Sequence, residues 1–322
     1  MFTANQRAEL VVDSQPPAEL GPRDIAGRTL VTLVSPGTEL NWGYCGSEFP
    51  TQPGYAAVFG VERMGAEVKG FEIGDVVFVM GNHHSHQRTD YAMAVRVPEG
   101  LAAERAVLAR LMAVSMTTLV TTTARPPQTV AVTGLGPVGH LAALTFDACG
   151  FEVVGVDPSQ ARRQKMARHQ RITVMERLPE KEHPLIGRVT CGLECSGVEQ
   201  AALDLCRVVK ERGEVVLIGV PWKQRCDLQA FEVMHAVFHK YAVLRSGWEW
   251  ELPRREQKFT HTTVTDNFRG ALKWLAEGRI DVEGLAECVD PRDCQRVYQD
   301  LLHQRGEALS AVFDWRLLTQ GA

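Results

Sequence analysis

Residues 129–144 read T-V-A-V-T-G-L-G-P-V-G-H-L-A-A-L, and this stretch predicts the fold of the middle of the chain. A short β-branched apolar run leads into Gly134, Gly136 and Gly139, and an apolar pattern of helical period follows. A strand that passes through G-x-G-x-x-G into a helix is typical of a dinucleotide-binding unit. The first glycine allows a tight turn, the second lets a pyrophosphate approach the backbone, and the third permits close packing of helix on strand.

The residues after this turn indicate which nucleotide is bound. The predicted helix, with Pro137 and Val138 in its first turn, offers free N–H groups to the phosphates. The next apolar strand, F-E-V-V-G-V-D, ends at Asp157, whose carboxylate would accept a hydrogen bond from a ribose 2′-hydroxyl and repel a 2′-phosphate. This favours NAD(H) as the cofactor. Arg162 and Arg163 follow, and they either weaken that preference or belong to a solvated helix face.

Strands and amphipathic helices continue to alternate through residues 188–248, which predicts an α/β fold with a doubly wound parallel sheet. Ligands bind beyond the carboxyl ends of the strands in such a sheet. The residues expected to line that cleft are Ser196, Gly197, Gly219, Val220 and Ser246. We interpret the neighbouring Cys195 as a packing residue, because no His or Lys is adjacent to it in the sequence.

The composition limits the classes of partner. The 322 residues are enough to bury a large core without disulfides or metals, and 35 basic residues nearly balance 39 acidic ones. Because the sequence has no polybasic run, we expect a small-molecule substrate, with neither nucleic acid nor a membrane as partner. Eight cysteines without a C-x-x-C pair, and the lack of a long apolar segment, predict a cytoplasmic protein with reduced thiols.

The first third of the sequence has a different pattern. Short strands with frequent glycine and proline predict a small all-β barrel there, and the chain is expected to return to this barrel near its end. We therefore predict that residues 1–117 and 249–322 form a catalytic domain and that residues 118–248 form the nucleotide-binding domain.

Six segments resemble the medium-chain dehydrogenase/reductase superfamily, in that family's order and spacing. They are P-G-T-E (36–39), P-G-Y-A-A-V-F-G-V-E-R-M-G (53–65), G-D-V-V-F (74–78), T-G-L-G-P-V-G (133–139), V-D-P-S (156–159) and L-I-G (217–219). The resemblance implies a GroES-like β-barrel domain plus a Rossmann domain, and a homodimer joined through the edge strand near residues 241–248. The first two segments are similar to a zinc-lacking branch that includes bacteriochlorophyllide dehydrogenases.

The resemblance also implies that this chain has lost the metal ligands of its zinc-dependent relatives. In those proteins the first segment usually reads C-G-T-D and the second P-G-H-E. Carried over by position, the ligand Cys becomes Pro36, the ligand His becomes Tyr55, and the third ligand becomes Arg110. Proline has no donor atom, tyrosine is a poor ligand at neutral pH, and arginine stays cationic. We therefore expect no bound metal.

Side chains must then handle the hydroxyl proton and the developing alkoxide during hydride transfer. Thr38 keeps the hydroxyl position that begins the proton relay in zinc relatives. Arg110 would stabilise an oxyanion, and Tyr55 with a lowered pKa would exchange the proton. In the alternative interpretation, Arg110 pairs with Glu39 and both residues merely fill the former metal site.

The H-H-S-H segment at residues 83–86 supplies another candidate base. Because the corresponding family loop approaches the substrate cleft, His84 or His86 is expected to contact substrate or to act as base. An exposed loop and a zinc site are the alternatives, although the adjacent His83 and His84 cannot easily meet one ion in an extended segment.

The leading functional hypothesis is a zinc-independent, NAD(H)-dependent oxidoreductase that interconverts a secondary alcohol and a ketone on a polyhydroxylated or cyclic small molecule. The first alternative is an NAD(P)H-dependent reductase of enone or quinone double bonds, and the second is a non-catalytic dinucleotide-binding protein. Four aromatic residues either line a ring-shaped substrate pocket or pack in the core: Trp42, Tyr44, Trp248 and Trp250.

Overall fold

The computed structural model describes residues 1–12 and 19–321, and the chain divides into two compact units. The first unit consists of Met1–Arg110, Phe268–Gly278 and Val282–Ala322, and the second of Leu111–Asn267 and Arg279–Asp281. The domain bounds predicted from the sequence differ from this division mainly at residues 249–267, which pack with the second unit rather than the first.

The strands in chain order are β1 (Phe2–Ala4), β2 (Arg7–Ala8), β3 (Asp24–Leu33), β4 (Ala57–Gly60), β5 (Arg63–Met64), β6 (Val76–Val79), β7 (His86–Asp90), β8 (Val95–Arg96), β9 (Thr129–Thr133), β10 (Glu152–Val156), β11 (Thr173–Met175), β12 (Val189–Glu194), β13 (Val209–Leu217), β14 (Val243–Ser246), β15 (Ala286–Val289) and β16 (Ser310–Asp314).

The α-helices are α1 (Pro36–Thr38), α2 (Ala103–Ala106), α3 (Ala109–Thr121), α4 (Pro137–Ala148), α5 (Gln160–Met166), α6 (Glu199–Val208), α7 (Ala230–Lys240), α8 (Val264–Ala276) and α9 (Cys294–Leu302). Helix α1 continues directly into a π-helical turn, Glu39–Tyr44. No helix in the described ranges is both long and apolar enough to cross a membrane.

The first unit is built on a mixed sheet in the order β15-β16-β3-β4-β6-β8, with β5 and β7 also paired to β3. All of these pairs are antiparallel except β15 with β16. Strand β3 is the longest, and its side chains are buried for most of its length because it has neighbours on both edges. Ile25, Phe59 and Val77 form part of the core against this sheet.

The second unit contains a fully parallel sheet in the order β11-β10-β9-β12-β13-β14. Strand β9 is buried along its whole length, as expected for a central strand covered by helices on both faces. The strand order reverses between β9 and β12, and in such sheets ligands bind at that point, outside the carboxyl ends of the strands. The predicted α/β class and the doubly wound sheet are confirmed.

Helix α4 contains a buried histidine with an unusual environment. His140 is buried, and its Nδ1 has no hydrogen-bond partner among the described residues. Burial lowers the pKa of His140 to about 3; His169 and Lys165 act in the same direction, and Asp281 acts against them. His140 is therefore neutral in the folded protein at all moderately acidic pH values.

This histidine should make the fold sensitive to acid. Between pH 6.5 and about pH 3 the unfolded chain binds a proton that folded His140 does not bind, so stability falls as the pH drops through this window. Replacing His140 with Leu should reduce the loss of unfolding free energy between pH 7 and pH 5 by about 2 kcal/mol, measured by urea denaturation. The exposed His261→Leu variant is the control. If the unfolding free energy depends equally on pH in the native protein and in the His140→Leu variant, the lowered pKa of His140 is contradicted.

Candidate active site

The glycine turn of the second unit has the geometry that the sequence predicts. Gly134 adopts a φ of +82°, and a Cβ atom at Gly139 would overlap the carbonyl oxygen of Gly134, so neither position accepts a side chain without strain. Gly136 is the N-cap of α4, and a Cβ atom there would meet nothing within 4 Å. Pro137 and Val138, in the first turn of α4, are partly exposed. This open helix N-terminus fits the pyrophosphate of a dinucleotide.

Asp157 follows β10 directly and closes the glycine turn onto that strand. Its carboxylate is 2% exposed, and its two oxygens accept hydrogen bonds from the backbone N–H groups of Leu135 and Ser159, each at 2.8 Å. Arg162 Nη1 lies 3.4 Å from the same oxygen that Leu135 contacts. Each carboxylate oxygen can accept a second hydrogen bond. Asp157 can therefore still bind a ribose hydroxyl, but the nearby guanidinium offsets part of its charge.

The cleft residues predicted beyond β12 and β13 converge on the glycine turn. A Cβ atom at Gly134 would lie 2.8 Å from the backbone nitrogen of Ser196, and one at Gly219 would overlap the backbone nitrogen of Gly197. A Cβ atom at Gly197 would lie 2.6 Å from the carbonyl oxygen of Val220. These segments are thus held together at the carboxyl edge of the sheet, as the sequence predicts.

Glu194, which the sequence analysis did not single out, holds this edge in place. It ends β12, is buried, and accepts hydrogen bonds from the backbone N–H groups of Ser196 (2.7 Å) and Gly197 (3.0 Å) and from the Ser196 hydroxyl. Burial raises the pKa of Glu194 and, more strongly, that of the Cys195 thiol. A thiol with a raised pKa is a poor nucleophile, which agrees with a packing role for Cys195.

Ser246 ends the edge strand β14, at the level of Leu217 in β13. Its hydroxyl accepts a hydrogen bond from the backbone N–H of Trp248 at 3.1 Å. Trp248 is exposed, and Trp250 carries Arg254 over its ring at 4.5 Å. The strand end and the exposed Trp248 therefore remain available to a ligand.

In the first unit, the structure brings together the three residues predicted to replace zinc chemistry. The Arg110 guanidinium carbon lies 4.7 Å from the centroid of the Tyr55 ring, and Arg110 is only 5% exposed. The Tyr55 phenol hydrogen-bonds with the side chains of Ser35 and Thr38. Thr38, Tyr55 and Arg110 thus lie together with Ser35. We call these four residues the tyrosine–arginine cluster.

The direction of the Tyr55 pKa shift is opposite to the one predicted. Burial raises the pKa of Tyr55, and this effect outweighs the positive charge of Arg110 and the hydrogen bonds with Ser35 and Thr38, which act to lower it. The expectation of a lowered pKa is wrong, because the sequence does not reveal how strongly the phenol is shielded from water. At neutral pH Tyr55 is therefore a neutral phenol that can donate a proton.

Glu39 is the centre of a second, buried group of hydrogen bonds. Its Oε1 accepts from the backbone N–H of Ser35 at 2.7 Å, and its Oε2 contacts His83 Nε2 at 3.0 Å and accepts from the Tyr298 hydroxyl at 2.5 Å. The predicted alternative, a pair between Arg110 and Glu39, is not the arrangement found, since these three groups surround the carboxylate. Burial, followed by the charge of Glu39, raises the pKa of Tyr298 well above its usual value.

The structure buries one histidine of the H-H-S-H segment. This residue is His83, which the sequence analysis did not select. Its Nδ1 lies 2.7 Å from Thr32 Oγ1, which also accepts a hydrogen bond from Trp315 Nε1 at 3.0 Å. Gly54, with a φ of +95°, lets the His83 backbone approach, because a Cβ atom there would lie 2.5 Å from the His83 nitrogen. The sequence offered one signal: neighbouring residues of an extended segment face opposite sides, so one of two adjacent histidines points inward.

The two histidines that were selected, His84 and His86, are both exposed. His86 begins β7 opposite Arg28 of β3, and its Nδ1 lies 3.2 Å from the Ser85 hydroxyl. Among the aromatic candidates of this unit, Trp42 is exposed, whereas Tyr44 is fully buried and stacks on Tyr298. Tyr44 therefore belongs to the core and not to a substrate wall.

The positions that the resemblance assigns to zinc ligands do not suit the metal. Pro36 begins α1 and has no donor atom, Tyr55 is held as a neutral phenol, and Arg110 is a cation in contact with that phenol. Within residues 1–12 and 19–321, no group of three or more His, Cys, Asp or Glu side chains could hold a metal ion.

Comparisons with known proteins agree with this fold. Residues 137–257 match the family model described as a zinc-binding dehydrogenase. The structure of 2R,3R-butanediol dehydrogenase from Bacillus subtilis superposes with a TM-score of 0.78 at 15% identity, covering 97% of this chain and 98% of that one. The chain is thus similar to zinc-binding dehydrogenases over residues 137–257, and its fold is that of the butanediol dehydrogenase. The GroES-like and Rossmann parts implied by the resemblance are thereby confirmed.

Curated proteins match a shorter part of this chain. A putative D-xylulose reductase of Rhizobium meliloti is 24% identical over 63% of this chain and 55% of its own length. A probable mannitol dehydrogenase of Fragaria ananassa is 22% identical over 56% of this chain and 62% of its own length. The chain thus spans little more than half the length of the curated relatives it matches.

The family match does not bear on the metal. The matched residues, 137–257, lie after Pro36, Tyr55 and Arg110 and belong to the second unit. The word zinc in the family description therefore says nothing about Pro36, Tyr55 and Arg110, where the resemblance places the zinc ligands.

Proposed function

We propose that the protein is an alcohol or polyol dehydrogenase that transfers a hydride between a nicotinamide dinucleotide and a secondary alcohol or ketone on a polyhydroxylated or cyclic small molecule, without a catalytic metal. The contact between Arg110 and the Tyr55 ring, at 4.7 Å, carries this proposal. It puts a fixed cation and a phenolic proton at positions where the resemblance implies zinc ligands. We also propose that the chain belongs to the zinc-lacking branch of the medium-chain dehydrogenase/reductase superfamily.

The dinucleotide, when bound, supplies the hydride donor or acceptor. The open N-terminus of α4, at Gly136, holds its pyrophosphate, and Asp157 orients the ribose. Arg162 stands close enough to Asp157 to modify that contact. The backbone segments at Ser196 and Gly219 limit the space at the carboxyl edge of the sheet.

The tyrosine–arginine cluster handles the substrate oxygen. Arg110 stabilises the negative charge that develops on this oxygen, because a buried guanidinium is a charge-assisted donor in a poorly solvated environment. Tyr55 donates a proton during ketone reduction, for which its raised pKa keeps it in the neutral form. Ser35 and Thr38 hydrogen-bond the phenol, and the partly exposed Thr38 hydroxyl returns a proton from water to Tyr55 after each reduction. Glu39, through Ser35, fixes the turn that carries these hydroxyls.

Two alternatives remain as proposals with their own tests. An enone or quinone reductase would use the same neutral phenol to protonate carbon, and a panel of enones would reveal it. A non-catalytic dinucleotide-binding protein would bind NADH tightly and exchange no hydride with any alcohol, ketone or enone. A role for His84 or His86 in contacting substrate also stays a prediction, as does a cytoplasmic location.

The preference for NAD(H) is a prediction with a direct measurement. Because the Asp157 carboxylate would repel a 2′-phosphate, NADH should bind with a Kd at least about tenfold lower than that of NADPH, measured by nucleotide fluorescence. The Arg162→Ala variant removes the cation beside Asp157, so it should increase the ratio of the NADPH Kd to the NADH Kd. The Arg188→Ala variant removes an exposed arginine and should leave this ratio unchanged. Tighter binding of NADPH would contradict the prediction and favour the enone reductase.

We also propose a homodimer joined through β14. This strand is the edge of the parallel sheet, and edge strands present unpaired backbone groups to a second chain. Val243 at its start is 49% exposed, and Tyr241 beside it is exposed as well. A charge at this edge opposes pairing, so Val243→Lys should convert the dimer to a monomer in sedimentation velocity, whereas Val120→Lys on α3 should not. A monomeric native protein would contradict the proposal.

A further inference from the structure

Helix α7 carries two histidines one turn apart on its solvent side. His235 and His239 are both exposed, and the centroids of their rings lie 4.2 Å apart with an interplanar angle of 53°. Residues at i and i+4 of a helix project from the same face. The two imidazoles are therefore already side by side.

The opposite face of α7 is firmly attached to the second unit. Ala236 and Val237 pack against the core around β13, and Lys240 donates hydrogen bonds to the backbone oxygens of Arg207 and Val209. Glu232 pairs with Arg207 at 3.0 Å. Because these contacts fix the helix, the histidine pair is held on a rigid element and needs little reorganisation to bind a ligand.

The ring nitrogen atoms of His235 and His239 make no polar contact with the described residues. In the part of the chain that the structure describes, neither imidazole forms a hydrogen bond or an ion pair; their contacts are with aromatic rings. The centroid of Phe231 lies 5.7 Å from that of His235, and the centroid of Phe238 lies 5.4 Å from that of His239. Each neutral imidazole keeps a free acceptor nitrogen in partly apolar surroundings.

We propose that His235 and His239 bind one divalent transition-metal ion of the kind that prefers imidazole, such as Zn²⁺, Ni²⁺ or Cu²⁺. Two histidines at i and i+4 on one helix face are a geometry in which both rings reach the same ion. Water completes the coordination. The site is distinct from Pro36, Tyr55 and Arg110, lies on the other unit, and takes no part in hydride transfer.

The H-H-S-H segment provides a matched control within the same chain. His84 and His86 are also exposed histidines, but they lie in a loop and at the start of β7 rather than on a helix, and their neighbour His83 is engaged with Glu39 and Thr32. A variant that lacks His84 and His86 loses the same number of exposed imidazoles as one that lacks His235 and His239.

Isothermal titration of the full chain, freed of metal with EDTA, tests the site. Zn²⁺ should bind saturably, Cu²⁺ more tightly, and Mg²⁺ not at all. The double variant His235→Gln, His239→Gln should weaken Zn²⁺ binding by at least about tenfold, since even loss of the groups that support metal ligands costs that much. The double variant His84→Gln, His86→Gln should bind Zn²⁺ as the native protein does.

The outcomes separate the proposal from its competitors. Because all four positions are exposed, the variants should keep the native circular dichroism spectrum and native NADH binding. No saturable Zn²⁺ binding by the native chain would overturn the proposal, as would binding that survives loss of His235 and His239. Loss of binding only in the His84, His86 variant would assign the ion to the H-H-S-H segment instead.

Discussion

Replacement of Arg110 by Met is expected to lower kcat for alcohol oxidation by about 10²- to 10³-fold, the usual cost of removing one preorganised donor to a developing oxyanion. Met fills similar space but cannot stabilise the alkoxide. The Kd for NADH should not change, because the proposed nucleotide site is the glycine turn of the second unit. Steady-state turnover with the best substrate of a secondary-alcohol panel, together with nucleotide titration, gives both values.

Two further variants make this experiment specific. Tyr55→Phe keeps the ring under Arg110 and removes only the phenolic hydroxyl, so kcat for ketone reduction should fall by about 10²-fold or more. Arg105→Met removes an exposed arginine of the same segment and should leave turnover unchanged. Native turnover in Arg110→Met would end the catalytic assignment of Arg110, and native turnover in Tyr55→Phe would end that of Tyr55.

The raised pKa of Tyr55 also fixes the sign of a pH effect. A phenol whose pKa lies above its ordinary value near 10 stays protonated through neutral and mildly alkaline pH. Ketone reduction should therefore show no alkaline loss from Tyr55 below about pH 10. A loss of ketone-reduction rate on raising the pH through neutrality, absent from the Tyr55→Phe variant, would contradict the raised pKa of Tyr55.

Replacement of Glu39 by Ala is expected to reduce the free energy of unfolding by about 3 to 5 kcal/mol, since each buried donor left without its acceptor costs roughly 1 to 3 kcal/mol. The substitution leaves the Ser35 N–H, the Tyr298 hydroxyl and His83 Nε2 without their shared acceptor in the core of the first unit. Urea denaturation of the native protein and the variant, under identical conditions, measures the difference.

Tyr298→Phe is the control for this prediction. It removes one hydrogen bond to Glu39 and keeps the aromatic packing against Phe2 and Tyr44, so its cost should be only about 1 kcal/mol. If Glu39→Ala costs no more than Tyr298→Phe, the carboxylate is not the centre of the buried network, and its role in fixing the turn at Ser35 would be withdrawn.

The nucleotide-binding half could be predicted from the sequence because its signals are local. Backbone geometry requires glycine at Gly134 and Gly139, which lie within six consecutive residues, and Asp157 follows from the length of one helix and one strand. The strand order and the packing of Ser196 against Gly134 then follow from rules that hold for parallel sheets.

The first unit was less accessible to sequence analysis because its contacts join distant residues. The resemblance identified Thr38, Tyr55 and Arg110 by position, and the structure gathers them. It could not indicate that Glu39 would meet Tyr298, which is 259 residues away. Likewise, no pattern states which of His83 and His84 faces inward.

Burial is the other quantity that the sequence does not give. The expected lowering of the Tyr55 pKa left out shielding from water, which is the largest effect on that pKa. The spacing of His235 and His239 is visible in the sequence, but the exposure of both rings is known only from the structure.

The most direct test of the central claim is turnover without metal. The His235→Gln, His239→Gln variant removes the proposed surface site, so any remaining zinc would report on the region of Pro36, Tyr55 and Arg110. After treatment with a chelator, and with metal content measured by mass spectrometry, this variant should oxidise the best alcohol substrate at the native rate while carrying far less than one zinc per chain. Turnover that is lost on chelation and restored by Zn²⁺ would contradict the account.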